Sequence, residues 1–430
     1  MYPVDSSPRK RGPRPEGTSM RKPLAALAML ASASLVLAAC AMPADDPNFT
    51  QISGVGGDAA ANAAAQEAGA AALEGALAAP TSIGIDVPLT AAPDKGAVIV
   101  SFTDGSDFET VVQTAMIAGA EKLGWTVESV TVDPADPTAV ATAFDEAVAK
   151  KPSGIHLRGE FYDSVSMGLP AAEAAGIPVV CTGCSGDPSG AIKDTSIDGT
   201  TQNIAWADSM AAYVVSSQYE GEGAGVLIFT TAGGAVSDFN NEFDTALLAG
   251  CRECSTNQSL LDPAAIDLAD PAAVTGFVTS ELSTSMGAWA LLDSGAFSGG
   301  VAEAIATDPT LLAPVVLTGR GASAADISAL AALAGSAVPA ASSDPAAAGS
   351  RTPEQAAALQ AWMGISLPVM GWRVVDQFAR ILGGEALADG PLPSQLLTAA
   401  NAADAVLDGN GNFVGIADYE AQFSALWGLG

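Results

Sequence analysis

From Lys95 onward, short β-rich runs alternate with helical stretches, and this rhythm limits the chain to few folds. "AVIVSF" (97–102), "TVESVTV" (126–132), "GIHLR" (154–158) and "IPVVCT" (177–182) read as strands. Between them lie the helical stretches "AMIAGAEKLGW", "PTAVATAFDEAVAK" (137–150) and "GLPAAEAAG". Strands that are apolar almost throughout, each followed by a helix, belong to a parallel sheet buried on both faces. After a long helix ending near "SSQYEGEG" the rhythm restarts. "AGVLIFTT" (224–231), "TNQSLL", "AWALLD" (288–293) and "PVVLTG" (314–319) alternate with "DFNNEFDTALLAG", "PAAVTGFVTSELS" and "GGVAEAIA". The fold expected is α/β, with two doubly wound, Rossmann-like lobes joined by a hinge. Ligands of such sheets bind beyond the carboxyl ends of the strands, so two facing lobes imply a cleft between them.

The chain has 430 residues, 49% of them hydrophobic, enough for two ordinary cores. Its 48 acidic and 17 basic residues give a formal net charge of −31, which repels phosphate backbones and argues against nucleic-acid binding. The stretch from Met20 to Cys40, "MRKPLAALAMLASASLVLAAC", has a basic start, a short apolar run and small residues at its end. Leu37-Ala38-Ala39-Cys40 resembles a bacterial lipobox, which implies cleavage before Cys40 and a lipid on its thiol. An ordinary secretory signal is the alternative, and Met20 is a second possible start. Residues 41–94, rich in Ala and Gly, read as a flexible tether.

The ordered set "AVIVSFTDGSDF", "AEKLGWTV", "GIHLR", "YDSV", "AAGIPVV", "GEGAGVLIF", "ALLDSGAFSGGVAEAI" and "SLPVMGWRVVDQFARILGGE" resembles type I periplasmic sugar-binding proteins of the ribose and galactose kind. The ending "DYEAQFSALWG" resembles actinobacterial members, and the likeness spans roughly 95–430. It implies an N-terminal lobe of 95–204 plus 367–400 and a C-terminal lobe of 205–366 plus 401–430. It further implies a monomer that closes on a small polar solute, a carbohydrate in the familiar cases, and docks to an ABC permease without a cofactor. A ligand sensor serving a membrane receptor is the competing reading.

The resemblance places the ligand contacts in named loops. The loop after the first strand offers Thr103, Asp104, Asp107 and Phe108. Carboxylates accept hydroxyl hydrogen bonds, and a phenyl face covers the apolar side of a sugar ring. Asp107 reads equally as a helix cap and Phe108 as a staple to the core. Arg158 and Glu160 follow the third strand, where Glu160 either joins the ligand or neutralises Arg158. The second lobe supplies Ser237, Asn240, Asp293 and Arg320, with Ser237 also a candidate N-cap; Ser366 lies at the return crossing. Trp362 is a core or a cleft residue.

Two departures bear on the ligand. Gly183-Cys184 stands where the ribose type keeps an Asp-Arg pair, and Thr318, Gly319 and Arg320 stand where relatives keep an Asp. With Arg158 and Arg320 at the cleft, the expectation shifts from a simple pentose or hexose. An acidic, amino or modified sugar, or a small polar non-sugar, is expected instead.

Cys181 and Cys184 form one Cys-x-x-Cys pair and Cys251 and Cys254 another. A reactive thiol needs a helix N-terminus to lower its pKa. "CTGCSGDPSG" enters a turn, and "CRECSTNQ" leaves a helix for a strand, so neither is a redox centre. The two pairs lie too far apart for a zinc ribbon and in different lobes. His156, the single histidine, sits in a strand pattern and reads as a sheet residue rather than a metal ligand. Disulfides remain, as suits an oxidising compartment. Of three connectivities, the two local ones, Cys181–Cys184 and Cys251–Cys254, keep each bridge within a lobe. So small a loop contributes roughly 2 kcal/mol or less of chain entropy. No Ser-His-Asp set, GxSxG or metal cluster supports a hydrolase.

Overall fold

The structure is a computed structural model that describes residues 73–218, 223–231, 234–262, 265–268, 270–285, 287–307, 314–335 and 351–429. Cys40 and its lipobox lie outside the described residues.

The first sheet contains β1 (Val98–Thr103), β2 (Thr126–Thr131), β3 (Gly154–Arg158), β4 (Val179–Thr182) and β5 (Ile192–Asp194) in the order β2-β1-β3-β4-β5, all parallel. The second contains β6 (Gly225–Thr230), β7 (Ser255–Leu260), β8 (Trp289–Leu292), β9 (Val316–Arg320), β10 (Ala361–Ile365) and β11 (Ser394–Thr398) in the order β11-β10-β9-β8-β6-β7. Only β11 runs antiparallel, against β10. The helices used below are α1 (Asp107–Leu123), α2 (Pro137–Lys150), α3 (Leu169–Ala174), α4 (Thr200–Ser216), α5 (Gly234–Gly250), α6 (Pro271–Thr284), α7 (Val301–Thr307), α8 (Ala324–Ala332), α9 (Pro353–Ala358), α10 (Leu367–Gly383) and α11 (Tyr419–Leu426).

Local signals explain the boundaries. Ser106 caps α1 through the Glu109 N–H, and Gly124 ends it in the left-handed region. Asp136-Pro137 and Asp270-Pro271 open α2 and α6 with a side-chain cap and a proline at the first helical position. Ser323 and Asp326 form a capping box on α8.

Strand alternation then sorts the core. In the first sheet Val100, Phe102, Ile155, Leu157 and Val179 pack with Val140 and Phe144 of α2. Ile99 and Val180 on the other face join a cluster that runs through α1, α4 and α10 to Val226, Ile228, Trp289 and Leu291 of the second sheet. Leu227, Phe229, Ala290, Leu292 and Leu317 face α6, α7 and α8 with Trp362, which is a core residue at 1% exposure. His156 is also a sheet residue. Its ring bridges Ser101 Oγ (2.7 Å) and Thr182 Oγ1 (3.0 Å), and burial, aided by Arg158, pushes its pKa down to about 3, so it is neutral.

Contacts between elements run across the chain: α4 packs on α5, α10 packs on α1, β11 pairs with β10 in the second sheet, and α11 packs back on α10. An apolar edge strand reads alike for either sheet, and only its pairing with β10 decides.

Residues 73–94, expected within the tether, are part of the fold. Leu73, Ile83 and Ile85 are buried. The carbonyls of Ile83 and Val87 accept from Arg373 and Arg380 of α10, and that of Leu77 accepts from Gln395 and Asn401. These bonds explain how α10 carries charge where it is buried, from Pro368 to Arg380. Arg380 pairs with Asp376 (2.7 Å), which also accepts from Trp427 Nε1 (2.9 Å), and the Trp427 ring stacks on Trp372. The N-terminal segment thus supplies acceptors that buried guanidinium groups require.

Deleting residues through Thr90 is expected to lower unfolding free energy by about 3 kcal/mol or more, since three apolar side chains leave the core and two arginines lose acceptors. Urea denaturation checks this; a free tether would leave the midpoint unchanged.

Candidate ligand-binding site

Each sheet has one place where successive crossovers diverge, between β1 and β3 in the first and between β6 and β8 in the second. Beyond the carboxyl ends of such strands a crevice opens. The residues just past these ends are Asp104 and Gly159 in one lobe and Thr231 and Asp293 in the other. The two sets face each other. The Ala235 N–H donates to the Gly183 carbonyl (2.9 Å), and Arg320 at the end of β9 pairs with Asp198 in the segment leaving β5.

Charged groups alternate across this cleft. Glu109, in the first turn of α1, lies 3.0 Å from Arg158 at the end of β3. Asp198 interacts electrostatically with both and ion-pairs with Arg320. Arg320 in turn acts electrostatically on Asp293. The Arg158 guanidinium lies over the Phe108 ring (4.8 Å) and that of Arg320 over Trp206 (5.3 Å). Burial pushes the Glu109 pKa up to about 7 against the pull of Arg158. It pushes Asp293 up to about 6, against hydrogen bonds from the Thr231 N–H (2.6 Å) and hydroxyl (3.2 Å). Arg158 is held above its ordinary value, because Glu109 and the neighbouring carboxylates outweigh the cost of burial.

Several buried polar atoms in this row have no hydrogen-bond partner in the protein. They are Oε2 of Glu109, Nε of Arg158, Nε of Arg320, Oδ1 of Asp293 and Oδ1 of Asn240, while Oε1 of Glu109 and Nη1 of Arg158 pair with each other. Buried polar atoms are normally paired, so a mixed set of donors and acceptors collected in one cleft is prepared for a polar guest. Hydroxyl groups, which donate and accept, match it. Both arginines face carboxylates, so the five groups Glu109, Arg158, Asp198, Arg320 and Asp293 carry a formal charge of −1 when ionised. This removes the reason given above for an acidic ligand.

The remaining expected residues are distributed as follows. Asn240 is buried and donates to Thr230 Oγ1 (2.6 Å). Thr103 Oγ1 and Asp104 Oδ1 accept from Gly105 N–H and Ser106 N–H, which shapes the loop. Asp107 is exposed at the first helical position, and the cap considered for it is Ser106. Glu160 is exposed beside Arg158. Ser237 is half-buried, and its neighbour Asp238 accepts from Ser185 (2.9 Å), in the loop after β4, and from Thr200 (2.6 Å), at the start of α4. Ser366 is fully buried and caps α10 through the Val369 N–H, so its hydroxyl is occupied as a helix cap. Cys184 is bridged to Cys181, and Cys251 to Cys254. No group of metal-ligating side chains occurs among the described residues.

Sequence reasoning missed Glu109 and Asp198. Glu109 was findable: with Ser106 as cap it is the third helical residue, in the turn nearest the strand ends. Asp198 lies in a crossing whose path no periodicity reveals.

No family model matches the chain, and no curated protein matches it significantly. Solved structures do. An ABC sugar transporter subunit from Rhodobacter sphaeroides 2.4.1 superposes with a TM-score of 0.54 at 17% identity, over 71% of this chain and 98% of that one. An ABC transporter solute-binding protein from Agrobacterium vitis with bound allitol gives 0.54 at 16%, over 72% and 98%. A carbohydrate transporter protein from Acidothermus cellulolyticus 11B in complex with myo-inositol gives 0.52 at 17%, over 73% and 96%. The fold is that of the type I periplasmic binding proteins.

Glu109 gives the folded state a titration of its own. Its folded pKa, about 7, exceeds the ordinary 4.5, so its contribution is complete below pH 4.5 and lost as pH rises through 7. The wild-type protein should lose on the order of 3 kcal/mol across that window from this group. Asp293 acts in the same sense between 3.8 and about 6. In urea titrations at several pH values, Glu109→Gln is expected to have a shallower slope between 4.5 and 7, keeping only what Asp293 supplies up to about 6; an unchanged slope would mean that Glu109 is charged throughout.

Proposed function

We propose that the chain is an extracytoplasmic solute-binding lipoprotein that captures a small polyhydroxylated solute between its lobes and delivers it to an ABC permease. The observation that carries this reading is the convergence of unpartnered buried donors and acceptors from both lobes. Arg158, Glu109, Asp293 and Asn240 bond the solute's hydroxyls, and the Phe108 ring covers its apolar side. Capture is by hinge closure, without chemistry, and the protein acts as a monomer. The solute is neutral or carries an amine. An acidic sugar would meet arginines whose charge Glu109 and Asp198 already balance, beside the excess carboxylate of Asp293.

Cys40 carries the lipid anchor, with the stretch from 41 to 72 connecting it to the lobes. No helix among the described residues is long and apolar enough to cross a membrane.

Thermal shift with a panel of polyols, neutral monosaccharides, amino sugars and uronic acids is expected to show stabilisation by members of the first three classes and none by the uronates. Arg158→Ala and Asp293→Asn should each weaken the best binder at least about tenfold by calorimetry, the loss of one charged hydrogen bond. Retained affinity in both variants would remove this cleft as the site.

Cys40→Ala is expected to shift the protein from the membrane fraction to the soluble exported fraction; unchanged membrane retention would refute the anchor.

A further inference from the structure

The two Cys-x-x-Cys bridges are alike in sequence and differ in what they hold. Cys251–Cys254 joins the end of α5 to β7, and its backbone and sulfur partners are Leu247 and Ala224, both in the second lobe. Cys181–Cys184 closes the loop after β4, and that loop is where the lobes meet. Gly183, between the cysteines and at φ +68°, donates its N–H to the Ile197 carbonyl and accepts at its own carbonyl from the Ala235 N–H of the opposite lobe. Ala235 lies in the first turn of α5, whose N–H groups have no partner within the helix.

Glycines make this approach possible. A Cβ on Gly159 would stand 2.1 Å from the Gly183 carbonyl oxygen, and one on Gly234 would stand 2.8 Å from it. Just past the bridge, Ser185 donates to Asp238 of α5, and Gly186 donates to Thr200, which also bonds Asp238. Loop, crossing segment and opposite helix are thereby tied at one point.

The geometry points to a closure role for the Cys181–Cys184 bridge: it holds the Gly183 carbonyl and Ser185 where α5 of the opposite lobe docks, making it a positioning element of the binding cleft. A two-residue ring limits the orientations open to the Gly183 peptide, so the N–H acceptor is presented without an ordering cost at each closure. This rests on the reading of the cleft as a closing binding site, and its test needs no ligand.

Small-angle scattering of the purified protein without added solute provides that test. Wild type sets the reference radius of gyration, to which its population of lobes in contact through Gly183 and Ala235 contributes. Cys181→Ser/Cys184→Ser should have a larger radius of gyration, while Cys251→Ser/Cys254→Ser should keep the wild-type value even if urea shows it less stable. Asp238→Ala, which breaks the same contact with the bridge intact, should expand as well. Equal expansion of both cysteine variants, or a wild-type radius in Cys181→Ser/Cys184→Ser, would overturn the proposal. None of these outcomes depends on solute binding, so the function proposed above stands or falls separately.

Discussion

The central strands β3, β8 and β9 are buried, so a charged side chain that one of them bears can be hydrated or paired only at a strand end. Arg158 and Arg320 close β3 and β9, and Asp293 follows β8. Parallel strands put all these ends on one side of each sheet, and the two sides face each other. Charge that either core would reject is therefore concentrated in one cleft. Once there, each group needs an opposite neighbour, and Glu109 and Asp198 supply it from a helix and a crossing segment.

The same requirement shapes the base of the molecule. Helix α10 places Arg373, Asp376 and Arg380 in the core with 1% exposure or less. They are tolerated because Trp427, the Asp376–Arg380 pair and the carbonyls of Ile83, Val87, Ala388 and Gly390 satisfy them. Much of that satisfaction comes from a segment whose composition reads as a linker. Its backbone does the bonding, and backbone carbonyls leave no mark in a sequence beyond the few apolar residues, Ile83 and Ile85 among them, that fix its path.

The cleft is polar without being strongly charged. Two arginines alone suggest an anion; two arginines each facing a carboxylate suggest hydroxyl groups, because what remains free is a mixture of donors and acceptors. The partners of Arg158 and Arg320 lie 49 and 122 positions away, so no local pattern could have paired them.

By itself the sequence determined the elements and the class of fold. Helix 137–150 and strand 154–158 occur at the expected residues, since periodicity, caps and prolines act within a few positions. It favoured local cysteine bridges among three connectivities, and the structure shows Cys181–Cys184 and Cys251–Cys254. Tertiary structure decided which sheet β11 joined, that residues 73–94 pack rather than hang free, that Ser366 caps a helix, and which carboxylate neutralises each arginine. Those outcomes depend on contacts between residues distant in the chain, whose energies come from burial and long-range pairing and are not encoded in local pattern.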